Sequence, residues 1–180
     1  MSSSGEIFDV DFIFNCTYSN LEKIENLELK NIFLKYKLSQ IALIELPNEF
    51  KDLGITVIDG PFFSILPYDE NVHTLSHVNY THISESANNF FEKDQEISGE
   101  IFIKNNIKKM ILDSSRFIPL LSNSKFDKSF FEVKALCRDL THNDSRPIVI
   151  EKNDNVFNVL GAKIDNVFDL STYLNKLNLC

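Results

Sequence analysis

The sequence predicts an α+β fold: an antiparallel sheet of five or six strands, with helices inserted mid-chain and one helix at the C-terminal end. Two observations carry that prediction. Between Phe33 and Ile83 several β-like runs follow one another with connections too short for parallel crossovers. From Ser84 the period of the apolar residues then changes from two to nearly four, and it returns to two after Leu121.

The first element is "FDVDFIFNCTY", where Val10, Phe12 and Phe14 alternate with Asp9, Asp11 and Ile13 to give a strand with one strongly apolar face. It stops at the polar cluster from Thr17 to Asn20. Leu21, Ile24 and Leu27 then fit a short helix or turn capped by Ser19 or Asn20. "KYKLSQIALIEL" places Tyr36, Leu38, Gln40, Ala42, Ile44 and Leu46 on one parity, a long strand closed by Pro47. After the turn at Asp52, Leu53 and Gly54 come "ITVIDGPFFSILPY" and "HTLSHVNYTHI", both β-like and joined at Asp69, Glu70 and Asn71.

The helical stretch reads as two helices broken near Ser98 and Gly99, with Ile103, Ile107, Met110 and Ile111 on one face of the second. "FFEVKALCRDL" is the next strand. "RPIVIEKNDNVFNVLGAKI" gives two more around a turn at Asn153, Asp154 and Asn155. The last helix covers residues 165–177, with Ile164, Val167, Phe168, Leu174 and Leu177 on one stripe. Neither a repeat nor a linker interrupts the chain, so residues 1–180 are expected to form a single domain.

Composition narrows the function. With 180 residues, 43% of them hydrophobic and sixteen Phe, the chain has enough apolar mass for one ordinary core. A formal charge of −8 argues against nucleic acid as a partner, because phosphate binding needs a concentrated basic stripe. The densest basic spot, Lys104, Lys108 and Lys109, reads as a solvated helix face. No run approaches the roughly eighteen apolar residues of a membrane span, so no membrane partner is expected. "MSSSGEIFDVDF" has neither a basic leader nor an apolar stretch, which makes the cytoplasm the expected location. Cys16, Cys137 and Cys180 are odd in number and widely spaced, as suits reduced thiols.

Motifs of nucleotide binding are missing. The five glycines are isolated, and neither G-x-G-x-x-G nor G-x-x-x-x-G-K-[ST] occurs. His73 and His77 share a strand face but lie about 13 Å apart at roughly 3.3 Å per residue, too far to ligate one metal, while His82 faces the other way. They read as sheet histidines, one of them lining a pocket. Asp59, Gly60 and Pro61 enforce a bend, and Phe62 and Phe63 beyond it fit either core aromatics in a bulged strand or a ligand-pocket wall. Arg138 ends an apolar strand, where its guanidinium suits a bidentate grip on a carboxylate or a structural ion pair. At "VFNVLGAKID" a strand runs through Gly161 and Ala162 into the last helix. Such a junction allows close backbone approach and offers N–H groups with partial positive charge to an anionic or electron-rich ligand edge; a plain strand-to-helix turn is the alternative.

In order along residues 8–174 these pieces resemble the C-terminal half of an FAD-dependent oxidoreductase of the D-amino-acid oxidase family. "IFNCTYSN" resembles the Asn-Ala-Thr-Gly-like strand end of that family, with Tyr18 in place of the Gly. "SQIALIEL" through "HTLSHVNYT" resembles its flavin-covering sheet. "RDLTHNDSRP" resembles Arg-x-x-Thr-x-Asp-x-x-Pro through Arg138, Thr141, Asp144 and Pro147, with one residue more between Arg138 and Asp144 than that pattern has, and "NVLGAKID" resembles the turn whose helix faces the flavin ring.

The resemblance implies FAD as cofactor and hydride transfer from a C–N or C–O bond to flavin. It implies Arg138, His77 and Tyr80 as the binding residues for a small-molecule substrate, and Gly161, Ala162 and Lys163 as those approaching the flavin. The dinucleotide fingerprint that grips the ADP part of FAD is absent. A separate FAD-binding half, or a second copy of the chain, is therefore the expected protein partner. A non-enzymatic α+β module that binds a partner, or a relic that has lost catalysis, is the alternative, and the module predicts an exposed apolar face along "DVDFIFN".

Overall fold

The computed structural model describes residues 5–24, 29–58, 60, 62–87, 100–138, 147–161 and 163–177. It is an α+β fold with nine strands: β1 (Ile13–Asn15), β2 (Leu34–Glu45), β3 (Ile55–Val57), β4 (Phe63–Asp69), β5 (Val72–His77), β6 (His82–Ser86), β7 (Lys125–Cys137), β8 (Val149–Asn153) and β9 (Val156–Leu160). The α-helices are α1 (Glu100–Ser114) and α2 (Asn166–Lys176), with short 3-10 helices at Tyr18–Lys23, Asn48–Phe50 and Pro119–Asn123. By its contacts the chain forms two compact units, Lys37–Lys134 and the pair of segments Met1–Tyr36 and Ala135–Cys180.

Lys37–Lys134 is built on the six-stranded sheet, in the order β3-β4-β5-β2-β6 with β7 also paired to β2. β3, β4, β5 and β2 run antiparallel to their neighbours, as short connections require. Because β2 is central, it buries both parities where one was expected: Ser39 and Leu43 are as inaccessible as Gln40, Ala42 and Ile44. The bend at Gly60, whose φ is +71°, is a reverse connection that pairs Val57 with Phe63. Pro67 has no N–H for the ladder, and the β4–β5 register shifts between it and Asp69.

"HTLSHVNYTHI" is not one strand but two. A turn at residues 78–81 separates β5 from β6, closed by the Tyr80 and Thr81 N–H groups donating to the His77 carbonyl. The core beneath the sheet joins Ala42, Ile44, Leu46, Phe50, Phe63, Ile65 and Leu75 to Ile107 and Met110 of α1 and to Leu121. The first of the two expected mid-chain helices and the break near Ser98 and Gly99 lie outside the described residues.

The other unit holds a second, three-stranded sheet of order β1-β9-β8, which the sequence did not separate from the first. β8 and β9 form a hairpin turning at Asp154 and Asn155, whereas β1 runs parallel to β9, with Ile13 opposite Val156 and Asn15 opposite Asn158. Phe157 is its packing centre. Its fully buried ring stacks on Phe14 at 4.9 Å, meets Phe12 at 6.0 Å and takes the edge of Tyr173 from α2 at 6.4 Å.

α2 thus turns Asn166, Leu170 and Tyr173 toward its own sheet, a spacing of four and three residues. Ile164, Val167 and Phe168 from the expected apolar stripe are exposed instead, at 95%, 57% and 74%. No helix among the described residues is long and apolar enough to cross a membrane.

Candidate functional site

The strand-to-helix junction is built by asparagines. Asn15 at the end of β1 donates from Nδ2 to Asn158 Oδ1 across the parallel pair at 2.9 Å, and to the Leu21 carbonyl at 3.0 Å. Its Oδ1 accepts the Thr17 hydroxyl at 2.7 Å. That clamp turns the chain sharply after the strand, and Tyr18 adopts a φ of +54°, in the region where a Cβ is disfavoured. A glycine would meet no such penalty there.

At the other end of the junction, Asn166 Oδ1 accepts the Lys163 N–H at 3.1 Å. A Cβ added to Gly161 would lie 3.4 Å from the Asn166 side chain, in van der Waals contact with the helix's own first residue. The N–H groups of Asn166, Val167 and Phe168 are directed to the carbonyls of Lys163, Ile164 and Asp165. The open donors that the sequence suggested are therefore occupied in this turn. Lys163 is exposed, and Ala162 lies outside the described residues.

His77 and Tyr80, two of the expected substrate residues, lie against each other with ring centroids 4.7 Å apart. The His77 ring also stacks over Phe63 at 6.4 Å and is only 2% exposed, so it is part of the sheet's packing. Asn79 N–H donates to His77 Nδ1 at 3.2 Å, while Nε2 is buried with no partner among the described residues. Burial lowers the His77 pKa below the ordinary 6.5, against the opposing attraction of the Asp113 carboxylate.

The Tyr80 hydroxyl donates to Asp113 Oδ2 on α1 at 2.5 Å, and that bond raises the phenol's pKa. Arg116 approaches the other Asp113 oxygen at 3.5 Å, and Lys109 Nζ stands 5.9 Å from the centre of the Tyr80 ring. Asp113 was missed by the sequence reading because nothing in the pattern of α1 separates it from an ordinary solvated acid.

Arg138, the third expected substrate residue, belongs to the other unit. Its Nε donates to the Leu34 carbonyl at 2.8 Å and its backbone N–H to the Phe33 carbonyl at 2.8 Å, which fixes it to the start of β2. Thr141 and Asp144 of the same motif lie outside the described residues, and Pro147 is exposed just before β8.

The other described histidines have structural partners: His73 Nε2 lies 3.0 Å from the Phe50 carbonyl, and His82 Nδ1 lies 2.9 Å from the Ser39 hydroxyl. Among the described residues no group of three His, Cys, Asp or Glu is placed to hold a metal ion. A shallow groove of about 370 Å³ lies along α2 and β8, lined by Ile148, Ile150, Asp169, Thr172, Tyr173 and Lys176. None of these was singled out from the sequence.

Compared with known proteins, the chain matches no family model, and no curated protein sequence matches it.

Proposed function

We propose that this chain is the substrate-binding and flavin-covering portion of an FAD-dependent oxidoreductase, inactive until a dinucleotide-binding half completes it. The observation that carries the reading is the parallel pairing of β1 with β9. The two segments that resemble the flavin-contacting parts of the D-amino-acid oxidase family lie 143 residues apart at Asn15 and Asn158, yet are bonded side by side. The φ of +54° at Tyr18, where that family carries Gly, points the same way. In this reading Gly161 and Lys163 approach the ring edge and Arg138 anchors a substrate carboxylate. Flavin bound there would accept the hydride.

The test is titration of FAD fluorescence with the purified chain, followed by removal of free flavin and a visible spectrum. Saturable quenching that disappears in Gly161→Val is the expected result. Absence of quenching by the chain, together with absence of flavin after co-expression with candidate dinucleotide-binding halves, would refute the reading.

A second reading, a non-enzymatic partner-binding module, is favoured by the exposure of Phe8, Val10, Phe12, Ile13 and Phe14, each at least 40% accessible. β1 pairs only with β9 and presents its other edge unpaired among the described residues. Capture of a specific protein without any bound flavin would support this reading over the first.

A further inference from the structure

His77 closes β5, and its imidazole is held between Phe63 of β4 and Tyr80 of the following turn. Nδ1 already accepts the Asn79 N–H, so the neutral ring carries its own proton on Nε2. That nitrogen is buried and bonded to nothing among the described residues. A second proton would go to Nδ1, where it would face the Asn79 N–H and break that bond. It would also place a full charge among aromatic rings with no acceptor at either nitrogen.

The same turn is held by the His77 N–H on Thr81 Oγ1 at 2.7 Å and by the Gln40 N–H of β2 on the Thr81 carbonyl at 2.7 Å. Ring, turn and β2 are thus joined in one connected set of bonds.

We propose that His77 is an acid-responsive latch on the turn at residues 78–81: proton uptake by the enclosed ring swings it out, opens the turn and releases Tyr80 from Asp113 on α1. The described charged and titratable groups around the ring are few. Tyr80 comes from the turn, Asp113 from α1, and Arg116 and Lys109 flank that pair; β4 contributes the neutral Phe63. Only Asp113 favours the imidazolium. Its two oxygens already serve the Tyr80 hydroxyl and Arg116, so burial prevails and the closed ring stays neutral.

The sign follows from linkage. The open turn binds a proton at the ordinary histidine value of 6.5 and the closed turn binds it less well, so closure is fully favoured above 6.5 and weakens as the pH falls toward the closed ring's lowered value. This role involves residues of Lys37–Lys134 alone and is independent of flavin.

Hydrogen exchange of the Asn79, Tyr80 and Thr81 amides in the full chain, corrected for intrinsic exchange, tests it between about pH 7 and pH 5. The opening constant should rise by up to about twenty-five-fold, the limit for one proton taken up at 6.5. His77→Asn can offer an acceptor to Asn79 without titrating, and it should abolish the rise. An equal rise in that variant would overturn the latch. If the variant does not fold, NMR titration of the wild-type ring decides alone: a midpoint below the ordinary value, with turn protection lost in step, supports the latch. An ordinary midpoint with protection unchanged refutes it.

Discussion

Glu151 offers a sharp test of how the smaller sheet is tied to the chain before β2. It sits on β8, is only 7% exposed, and accepts hydrogen bonds from the Lys30 N–H at 2.9 Å, from the backbone and side chain of Asn31, and from the Asn153 side-chain amide at 2.9 Å. Burial alone would raise its pKa, but the Lys30 and Asn31 backbone donors and the Asn153 amide outweigh it and hold the carboxyl below its usual value. Glu151→Gln keeps one acceptor oxygen and turns an NH2 toward the remaining donors. It loses about one charge-assisted bond and weakens another, about 2–3 kcal/mol in total. Because the folded pKa is depressed, the carboxylate's contribution is complete above 4.5 and is lost as the pH falls through the folded value. Urea unfolding followed by circular dichroism, from pH 7 down to about pH 4, should show the variant less stable at neutrality and the gap narrowing with acid. Exchange protection of the Asn31 amide should fall in parallel. A variant within about 0.5 kcal/mol of wild type at pH 7, or a gap unaffected by pH, would refute the tether.

Two further outcomes follow from packing and backbone geometry. Phe157→Ala should cost about 3–5 kcal/mol in urea unfolding, since the ring is fully buried under Phe14 and Tyr173, whereas Phe126→Ala at a 40% exposed site should cost about 1 kcal/mol or less; equal effects would deny Phe157 its central place. Tyr18→Gly should be more stable than Tyr18→Ala by about 1 kcal/mol, because only the glycine relieves the positive φ, and equal unfolding midpoints would mean that the turn carries no such strain.

The long strand β2 and the hairpin of β8 and β9 were legible because each has an apolar period bounded by a turn, whereas α2 was placed correctly but its inward face was not, since Asn166, Leu170 and Tyr173 meet the sheet in place of Ile164, Val167 and Phe168. The division between β5 and β6 was not legible. "HVNYTH" lacks Gly and Pro, and the chain reverses there through backbone donors on the His77 carbonyl and the Thr81 hydroxyl under the His77 N–H, which no period records. β1 was over-read for a related reason: alternation continues from Asp9, yet only Ile13–Asn15 pairs, because the partner β9 ends the ladder at Val156. The parallel pairing itself joins residues more than 140 positions apart and has no local signature. Among the site residues, the contact of His77 with Tyr80 depends on the turn at residues 78–81 and the burial of His77 on its packing under β4, neither of which the strand pattern alone positions.

What the junction offers a partner follows from what its polar groups already do. Asn15, Thr17 and Asn158 bond one another or the backbone, Asn166 holds Lys163, and the first N–H groups of α2 turn back to residues 163–165. The outward groups near it include Phe12, Ile13 and Phe14 on the strand side and Ile164, Val167 and Phe168 on the helix side, with Lys163 and Asp165 of opposite charge between them. A diphosphate needs free donors or cations, and this arrangement has spent its nearest donors internally. A dinucleotide-binding half in the proposed oxidoreductase must then supply the phosphate grip itself and meet this unit through apolar contact. Substitutions such as Phe12→Ser and Phe168→Ser should accordingly weaken assembly with that half more than they weaken the fold of the isolated chain.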